Sequence, residues 1–538
     1  MSRGLSRRAA LAAPLAFVAC SRDVPAAFDG GWLGVSHQRG HRLRDAASFT
    51  PEVTRRCAVA VVGAGVAGLA AARALQRAGV DDVQVFELED EAGGNARGHR
   101  IAGMSCPLGA HYLPLPGPDA REVSEWLHEI GLLRNVAGRT VPDDRHLAHS
   151  PQERLWVEGQ WIEGLLPPAA PGSTRERQYQ RFSRLVTQAS RQVGFTIPSH
   201  RVRWGPEHAA FDAITFAQWL DRKGLDDTGL RWFLDYACRD DYGADSHAVS
   251  AWAGLHYFAS RHGFAAPGEA SSGDREAVFT WPEGNAWLTR HLAVPLRGRL
   301  QAAALVRRVE VARHEVALDV LREGASPRQE RWLASQVVMA LPLHVAARVL
   351  AQPPAALVAA AAQLTQAPWL VANLHLRAPL TDKPGAPPSW DNVLYTPGAG
   401  TLPLGYVDAM HQSLRPVPGP TVLSAYWALG HHDRATLSRQ RQSLLDEPWH
   451  VWSQRVVDDL ARAHPDLPGK TARVDLMRYG HAMPIPAPGL RSSAALQALT
   501  QPLTPRLHFA HSDLAAYSIF EEAFTLGDAA GRAAAKRV

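Results

Sequence analysis

Cysteine is scarce in this sequence, with four residues in a chain of 538. Cys20 lies near the N-terminus, and the remaining three, Cys57, Cys106 and Cys238, are too few and odd in number to build a disulfide framework. The spacings CxxC and HExxH do not occur, and the paired histidines lack further ligands at metal-site spacing. We therefore expect a fold that depends on its hydrophobic core and holds no metal ion.

Runs of basic residues interleaved with aromatic ones are also missing, although the net charge is +5. Such runs are typical of nucleic-acid grooves, so we expect no nucleic-acid partner. Charged residues make up only 20% of the chain and hydrophobic residues 46%, which favours a large buried core. A chain of this length is expected to form two domains or one discontinuous pair.

The N-terminus lacks an apolar run long enough to span a bilayer. Residues 1–20 read MSRGLSRRAALAAPLAFVAC, in which Arg7 and Arg8 precede a short apolar run from Ala9 to Ala19. This pattern predicts an export signal that resembles the twin-arginine type, which carries folded proteins. The residues around Cys20 resemble a lipoprotein cleavage site, which predicts a lipidated cysteine attached to a membrane. The alternatives are an ordinary signal cleaved nearby or a basic N-terminus without an export role. Export predicts a periplasmic or cell-envelope location.

A glycine-rich turn follows the first buried strand of the chain. Gly63, Gly65 and Gly68 come after the apolar run CAVAVV and open an Ala- and Leu-rich helix predicted over Val66 to Ala78. The glycines permit a tight turn, close approach of a pyrophosphate, and close packing of helix on strand. Glu87 ends the second strand, where a carboxylate binds ribose hydroxyls and disfavours a 2′-phosphate. The pattern therefore predicts a dinucleotide site, the alternative being a strand–turn–helix without a ligand.

The stretch EAGGNARG, directly after the second strand, distinguishes FAD from NAD. Here Gly93 and Gly94 are followed by Arg97. With the glycine turn and the acidic residue, these motifs resemble the flavin-containing amine oxidoreductase superfamily, which includes monoamine and polyamine oxidases, phytoene desaturases and protoporphyrinogen oxidase. The resemblance implies FAD as the cofactor, with Arg97 near its phosphates.

The resemblance continues in order along the chain. The stretch CPLGAHY, with Gly109 and His111, is similar to the family's segment beside the flavin ring, and LVRRVEV is similar to the strand that meets the adenine near Val309. The stretches WPEGNAWLTRHLA and QVVMALP resemble the family's glycine-turn helix and the strand that leads back into the substrate domain.

The C-terminal stretch FAHSDLAAYSIFEEAFTLGDAAGRAA resembles the closing FAD motif of the family. The resemblance implies that Asp513 faces the phosphate and ribityl region, and that a helix N-terminus near Phe520 and Glu521 points at the isoalloxazine. Two positions depart from amine oxidases: Ile519 stands where one tyrosine of the aromatic cage is usual, and Glu522 stands where glycine is usual. These departures put oxidation of classical monoamines in doubt.

The resemblance implies an α/β fold in which a Rossmann-type FAD-binding domain is interleaved with an α+β substrate domain. The expected boundaries are an export signal at 1–20, an arm or linker at 21–54, an FAD-binding domain of 55–115, 281–342 and 472–538, and a substrate domain of 116–280 and 343–471.

The expected function is that of an FAD-dependent oxidoreductase acting on a small molecule. In the first interpretation, hydride passes from an amine or polyamine to flavin N5, and reduced flavin passes electrons to oxygen or another acceptor. The alternatives are a desaturase or dehydrogenase of a hydrophobic substrate and a flavin-binding envelope protein without turnover. Candidates for catalysis are His111, Tyr479 and His481, because a histidine beside a flavin can act as a base, although packed structural roles are the alternative for each.

Overall fold

The computed structural model describes residues 28–34, 36–45, 48–149, 151–261, 263–269, 277–324, 326–398, 402–413, 417–501 and 503–538. The predicted export signal and the lipidated Cys20 lie outside the described residues. Within these ranges, no helix has both the length and the apolar composition needed to cross a membrane.

The smaller of two sheets contains the predicted strand–turn–helix unit. Its strands in the described residues are β2 (Val53–Val62), β3 (Val83–Phe86), β12 (Leu300–Gln301), β13 (Ala304–Val311), β14 (Val316–Arg322), β15 (Arg328–Met339) and β21 (Leu507–Phe509). Their order is β12-β3-β2-β15-β14-β13, with β21 beside the second half of β15. The pairs β12–β3, β3–β2, β2–β15 and β15–β21 are parallel, and β13 to β15 form an antiparallel meander.

The larger sheet is mostly antiparallel. Its strands in the described residues are β1 (Asp29–Leu33), β9 (Glu153–Val157), β10 (Gln160–Glu163), β16 (Thr365–Leu376), β17 (Asp391–Leu394), β18 (Pro403–Asp408), β19 (Thr421–Ala428) and β20 (Thr471–Ile485), in the order β1-β20-β16-β19-β18-β17-β9-β10. Three short pairs stand apart: β4 (Gly98–Ile101) with β5 (Met104–Pro107), β6 (Tyr112–Pro114) with β11 (Val278–Thr280), and β7 (Leu133–Val136) with β8 (Arg139–Pro142).

The α-helices of the described residues cover the two sheets and fill the space beside the larger one. They are α1 (His37–His41), α2 (Val66–Arg77), α3 (Arg121–Glu129), α4 (Thr174–Gln192), α5 (Pro206–Asp212), α6 (Phe216–Arg222), α7 (Thr228–Tyr242), α8 (Ala251–Ala259), α9 (Ala286–Ala293), α10 (Leu343–Val349), α11 (Ala355–Gln363), α12 (Arg434–Asp446), α13 (Trp449–Ala461), α14 (Leu467–Lys470), α15 (Ala494–Ala498) and α16 (Phe520–Ala535).

The smaller sheet is covered because its central strand is apolar on both faces. Cys57 and the four residues Val59 to Val62 of β2 are buried, as expected for a parallel strand between two layers. Val59 and Val61 pack in one core with α2, α3, α9 and α16, whereas Ala60 and Val62 pack in the core that continues towards the larger sheet. The sheet therefore joins two cores, and the edge where β2 and β3 end faces the second domain.

Strand β16 shows the same division in the larger sheet. Its residues alternate between two cores: Leu370 and Leu374 pack with α13, whereas Trp369 and Val371 pack on the opposite face with the residues of α7 and α8. This period of two is the normal result of a pleated strand. The second face is the one that meets the smaller sheet, so residues on it are placed to line a shared cavity.

The predicted fold class is confirmed: a doubly covered nucleotide-type sheet is interleaved with an α+β unit. The predicted helix after the glycine turn is α2, and the predicted closing helix is α16. Two segments lie differently from the sequence-based boundaries. Residues 29–33 of the predicted arm form β1, an edge strand of the larger sheet, and β20 carries residues 471–485 through that same sheet before the chain returns to the smaller one.

Helices α2 and α16 approach closely because small residues face each other. A Cβ atom at Gly527 would lie 2.1 Å from the carbonyl oxygen of Ala67, and one at Gly531 would lie 2.3 Å from that of Ala71. The obstacle in both cases is backbone, which cannot move aside as a flexible side chain does. The helix pair that closes the smaller sheet therefore requires glycine at both positions.

We expect Gly527→Ala to lower the free energy of unfolding by about 1–3 kcal/mol, because overpacking forces the two helices apart. Gly469→Ala is the matched control, since that helical glycine has no neighbouring atom within 4 Å of an added Cβ. Chemical denaturation of both variants measures the difference. Equal stability of Gly527→Ala and the wild type would contradict the close-packing argument.

Candidate functional site

A cavity of about 510 Å³ lies between the two sheets. One wall is formed by the ends of β2 and β3 and by the start of α2, and the opposite wall comes from β16, β19 and β20 of the larger sheet. Cavities at the carboxyl ends of parallel strands are the usual ligand sites of such sheets. Both parts of the interleaved fold therefore contribute to one site.

Two glycine turns touch each other at the base of this cavity. Gly63 has a φ of +100°, which favours glycine, and its N–H donates to the carbonyl of Phe86 at 2.8 Å. A Cβ atom at Gly65 would lie 3.9 Å from the Cα of Gly94, and the N–H of Gly93 donates to the carbonyl of Ala64 at 2.8 Å. The start of α2 is thus left open to the cavity, and its free N–H groups suit a pyrophosphate.

Glu87 lines the cavity beside these turns and is 8% exposed. Its Oε2 accepts from the N–H of Ala64 at 2.8 Å, and its Oε1 accepts from the N–H of Glu89 at 2.9 Å. Burial raises the pKa of Glu87, while the two backbone donors act in the opposite sense. The carboxylate is held in one orientation, and its remaining lone pairs suit ribose hydroxyls. The site therefore fits the nucleotide part of FAD.

Four predicted cofactor residues lie outside the lining formed by the described residues. Gly68 packs against the turn, where an added Cβ would lie 1.8 Å from the carbonyl oxygen of Gly63. Arg97 is buried, and its Nε donates to the carbonyl of Gly94 at 3.2 Å, so it supports the second glycine turn from behind. Val309 is buried in β13, three residues beyond the part of that strand that lines the cavity, Ala304 to Val306.

Asp513 also lies behind the lining, between the start of α10 and the start of β16. Its Oδ2 accepts from the N–H of Leu343 at 2.9 Å, and its Oδ1 accepts from Gln366 Nε2 at 3.1 Å. Burial acts to raise the pKa of Asp513, but His511 and these donors outweigh it and lower the pKa to about 2. The group is therefore ionised, and its neighbours His511, Ser512 and Gln366 are the ones exposed to the cavity.

The N-terminus of α16 forms another part of the wall. Ile519, Phe520 and Glu521 line the cavity, and Ile519 precedes the helix without capping it through its side chain. Burial raises the pKa of Glu521 to about 7. Glu522 points away instead: its Oε2 lies 2.6 Å from His200 Nδ1, and its Oε1 accepts from a backbone N–H. The first turn of α16 is thus connected to the segment at Ser199 and His200, before α5.

His111 stands in a cluster of rings along the cavity. It stacks on Tyr426 at a centroid distance of 4.5 Å, and Tyr112 and Trp390 lie at 5.0 and 5.6 Å. Tyr426 also donates from its hydroxyl to the carbonyl of Gly109 at 3.1 Å. Burial lowers the pKa of His111 to about 4, so the ring is neutral near pH 7. The ring cluster is therefore an uncharged surface.

The other two predicted catalytic residues, Tyr479 and His481, line the cavity from β20. The hydroxyl of Tyr479 donates to the carbonyl of Leu108 at 2.9 Å, and burial raises its pKa to about 12. His481 lies 4.9 Å from His344 between ring centroids, and burial together with Arg441 and His344 lowers its pKa to about 3. The tyrosine therefore holds the loop before His111, and His481 is a neutral wall residue.

A charged group at the end of α7 was missed by the sequence analysis. Asp240 and Asp241 line the cavity together with Arg261. Arg261 Nη2 donates to both carboxylate oxygens of Asp241 at 3.0 and 3.2 Å and to the hydroxyl of Tyr517 at 2.7 Å. Burial, followed by the charge of Asp241, raises the pKa of Asp240 to about 7. Asp241 is thus neutralised by arginine, whereas Asp240 faces the cavity without such a partner among the described residues.

Several known proteins are similar to this chain in sequence or in fold. The profile described as flavin-containing amine oxidoreductase matches residues 66–538. Tryptophan 2-monooxygenase of Agrobacterium tumefaciens is 33% identical over 127 residues, which are 22% of this chain and 15% of that protein. A Mycobacterium tuberculosis protein assigned by name to the flavin-containing monoamine oxidases is 27% identical over 288 residues, 53% of this chain and 56% of that protein.

The chain thus spans between about a seventh and about half of the length of these two relatives. The solved structure of putrescine oxidase bound to putrescine has a TM-score of 0.63 and 18% identity, and the match covers 89% of this chain and 99% of that one. This likeness shows the fold. Because the profile covers most of the chain, the predicted cofactor, FAD, is confirmed, and the chain belongs to the flavin-containing amine oxidoreductase family.

Proposed function

We propose that the protein is an FAD-dependent oxidoreductase that takes hydride from the carbon next to an amine nitrogen. The observation that carries this proposal is that two acidic side chains, Asp240 and Glu521, line the cavity. Burial raises the pKa of each to about 7. Above that pH they are anionic groups in a largely buried site, where water weakens charge interactions less than it does at a surface. An ammonium group is the ligand that such a site favours.

The remaining charges in the cavity do not oppose a cation. Arg261 is paired with Asp241, and the low pKa values of His111 and His481 leave both rings neutral near pH 7. The stacked rings of His111 and Tyr426 offer π faces, which attract ammonium groups. The acidic and the aromatic groups therefore both favour the binding of a protonated amine.

Bound FAD supplies the hydride acceptor. The chain's own groups then have three tasks. The carboxylate of Asp240 attracts the ammonium form and accepts its proton, because hydride can leave only from the neutral amine. The ring of His111 fixes the orientation of the substrate against the α16 end of the cavity. Ile197 and Ile519 exclude water there. Loss of hydride gives an iminium ion, and its hydrolysis gives an aldehyde and releases the nitrogen.

A second candidate, oxidation of a carbon–carbon bond in a hydrophobic substrate, has one observation in its favour. Apolar side chains, including Ile197, Ile519 and Pro114, line the cavity. Against it stands the energetic cost of placing an apolar ligand beside ionised Asp240 and Glu521. A flavoprotein without turnover is a third possibility, which the same experiment addresses.

The test is anaerobic mixing of the yellow holoprotein with a panel of monoamines, diamines and polyamines. The panel also includes one lipid-soluble compound whose carbon–carbon single bond would be oxidised to a double bond. We expect at least one amine to bleach the flavin absorbance, because hydride transfer reduces the ring. Bleaching by the lipid-soluble compound alone would favour the second candidate. A flavin that no donor reduces would contradict both enzyme assignments.

Asp240→Asn is expected to lower kcat/KM for the reactive amine by about tenfold to a hundredfold, since a hydrogen bond to a charged group contributes about 1.5–3 kcal/mol. Because the pKa of Asp240 is raised to about 7, its carboxylate ionises only as the pH passes that value. The kcat/KM of the wild type should therefore rise through pH 7, and this rise should be weaker in the variant. Asp446→Asn, at an exposed position of α12, is the control. An unchanged pH profile in Asp240→Asn would exclude the role.

We also propose that the protein is exported and anchored through Cys20, on the evidence of the N-terminal sequence alone. Cys20→Ser should move the protein from the membrane fraction to the released fraction, because the thiol that carries the lipid is lost. Replacement of Arg7 and Arg8 by lysine should retain it inside the cell if the twin-arginine route is used. A wild-type protein found wholly in the cytoplasm would contradict both parts.

A further inference from the structure

The N-terminal segment, residues 28–34 and 36–45, crosses from the larger sheet to the smaller one and reaches the FAD cavity. It precedes residue 66, where the match to the family begins. We propose that this segment is a clasp that retains FAD, with Arg39 as its positioning residue, and that it slows cofactor release. The inference rests on the FAD cofactor and is independent of the proposed oxidation of amines.

One end of the clasp is built into the larger sheet. Strand β1 pairs in parallel with β20, from Asp29 opposite Arg473 to Leu33 opposite Met477. The guanidinium of Arg478 lies 4.5 Å from the ring centroid of Trp32. The pairing is close, since a Cβ at Gly34 would lie 2.1 Å from the sulfur of Met477. This end is therefore fixed to the strand whose continuation carries Tyr479 and His481 into the cavity.

The other end is held on the smaller sheet through Arg39, whose side chain is 14% exposed. Its Nε donates to Glu323 Oε2 at 2.7 Å, its Nη1 to the carbonyl of Leu88 at 2.8 Å, and its Nη2 to Asp90 Oδ1 at 3.1 Å. A planar guanidinium with three such acceptors is a strong and directional contact. Arg39 thus connects the clasp to the loop that directly follows the ribose-binding carboxylate.

That loop is coupled to Glu87 by hydrogen bonds. The N–H of Ser36 in the clasp donates to Glu89 Oε1 at 3.0 Å, and the N–H of Glu89 donates to Glu87 Oε1 at 2.9 Å. Loosening the clasp therefore removes two supports, at Leu88 and at Glu89, from the segment that orients the Glu87 carboxylate. Arg39 acts on the cofactor through this loop.

The clasp also closes part of the cavity directly. Leu43 lines it, and the carbonyl of Leu43 accepts from Arg348 Nε at 3.2 Å. Arg348 belongs to α10, whose residues Val345 and Val349 line the same region. Leu43 and α10 thus form one continuous wall. FAD can leave past the wall formed by Leu43 and α10 only if the clasp moves. This movement breaks the hydrogen bonds of Arg39.

The experiment compares FAD release from the wild type, Arg39→Ala and Leu43→Ala. Each holoprotein is diluted, and the rise of flavin fluorescence is followed well below the unfolding temperature. We expect release to be about ten- to a hundredfold faster for Arg39→Ala, because charged hydrogen bonds are lost. Leu43→Ala should also release FAD faster than the wild type. Arg39→Lys keeps the positive charge but loses the planar set of guanidinium N–H donors, so its release rate should lie between those of the wild type and Arg39→Ala. Arg44→Ala, exposed in the same segment, is the matched control and should release FAD at the wild-type rate.

A purely structural role gives a different result. In that case Arg39→Ala lowers the unfolding midpoint, yet FAD leaves the folded variant at the wild-type rate. That outcome, or unchanged release from folded Leu43→Ala, would overturn the proposal. If Arg39→Ala does not fold, Leu43→Ala and Arg39→Lys decide the question. Failure of every amine to reduce the flavin would leave these release rates unaffected, so the two proposals can fail separately.

Discussion

The contact between two glycine turns at the start of α2 is the constraint on which the cavity depends. Gly65 and Gly94 leave only backbone where the turns meet, so the first N–H groups of the helix remain open to the cavity. Larger side chains there would fill the space that the pyrophosphate requires. The position of Glu87 follows from the same contact, because its carboxylate is held by the N–H that lies between Gly63 and Gly65.

On the opposite side of the cavity, burial determines the charge of the titratable side chains. Desolvation leaves His111 and His481 neutral near pH 7 and raises the pKa of Asp240 and Glu521 to about 7. Desolvation also opposes the ionisation of Asp513, but His511 and several hydrogen-bond donors outweigh it, so this carboxylate is ionised. Acidic groups that ionise as the pH passes 7 thus line the same cavity as the neutral rings. The chain arranges this balance with residues from four separate segments.

The sequence predicted the cofactor half of the site well because its signals are local. Gly63, Gly65 and Glu87 belong to one strand–turn–helix–strand unit, and spacing alone indicates what they contact. The substrate half depends on contacts between distant segments. Tyr426 becomes a cavity residue only because β16 and β19 pair beside His111. In the sequence, Asp240 is one acidic residue near a helix end among several, and only the packing of α7 places it in the cavity. The sequence predicts an arm or linker where β1 lies, because the strand that pairs with β1, β20, is more than four hundred residues away in the chain.

Asp513 has a mechanical consequence for the whole molecule. Its carboxylate accepts hydrogen bonds from the N–H of Leu343, the first residue of α10, and from the side chain of Gln366 in β16 of the larger sheet. A hinge rotation of the larger sheet against the smaller one would take the Gln366 donor away from this buried anion, and removing a partner from a buried charge is costly. The two sheets are therefore expected to move as one rigid body. Small molecules then have to enter and leave the cavity through openings in its wall.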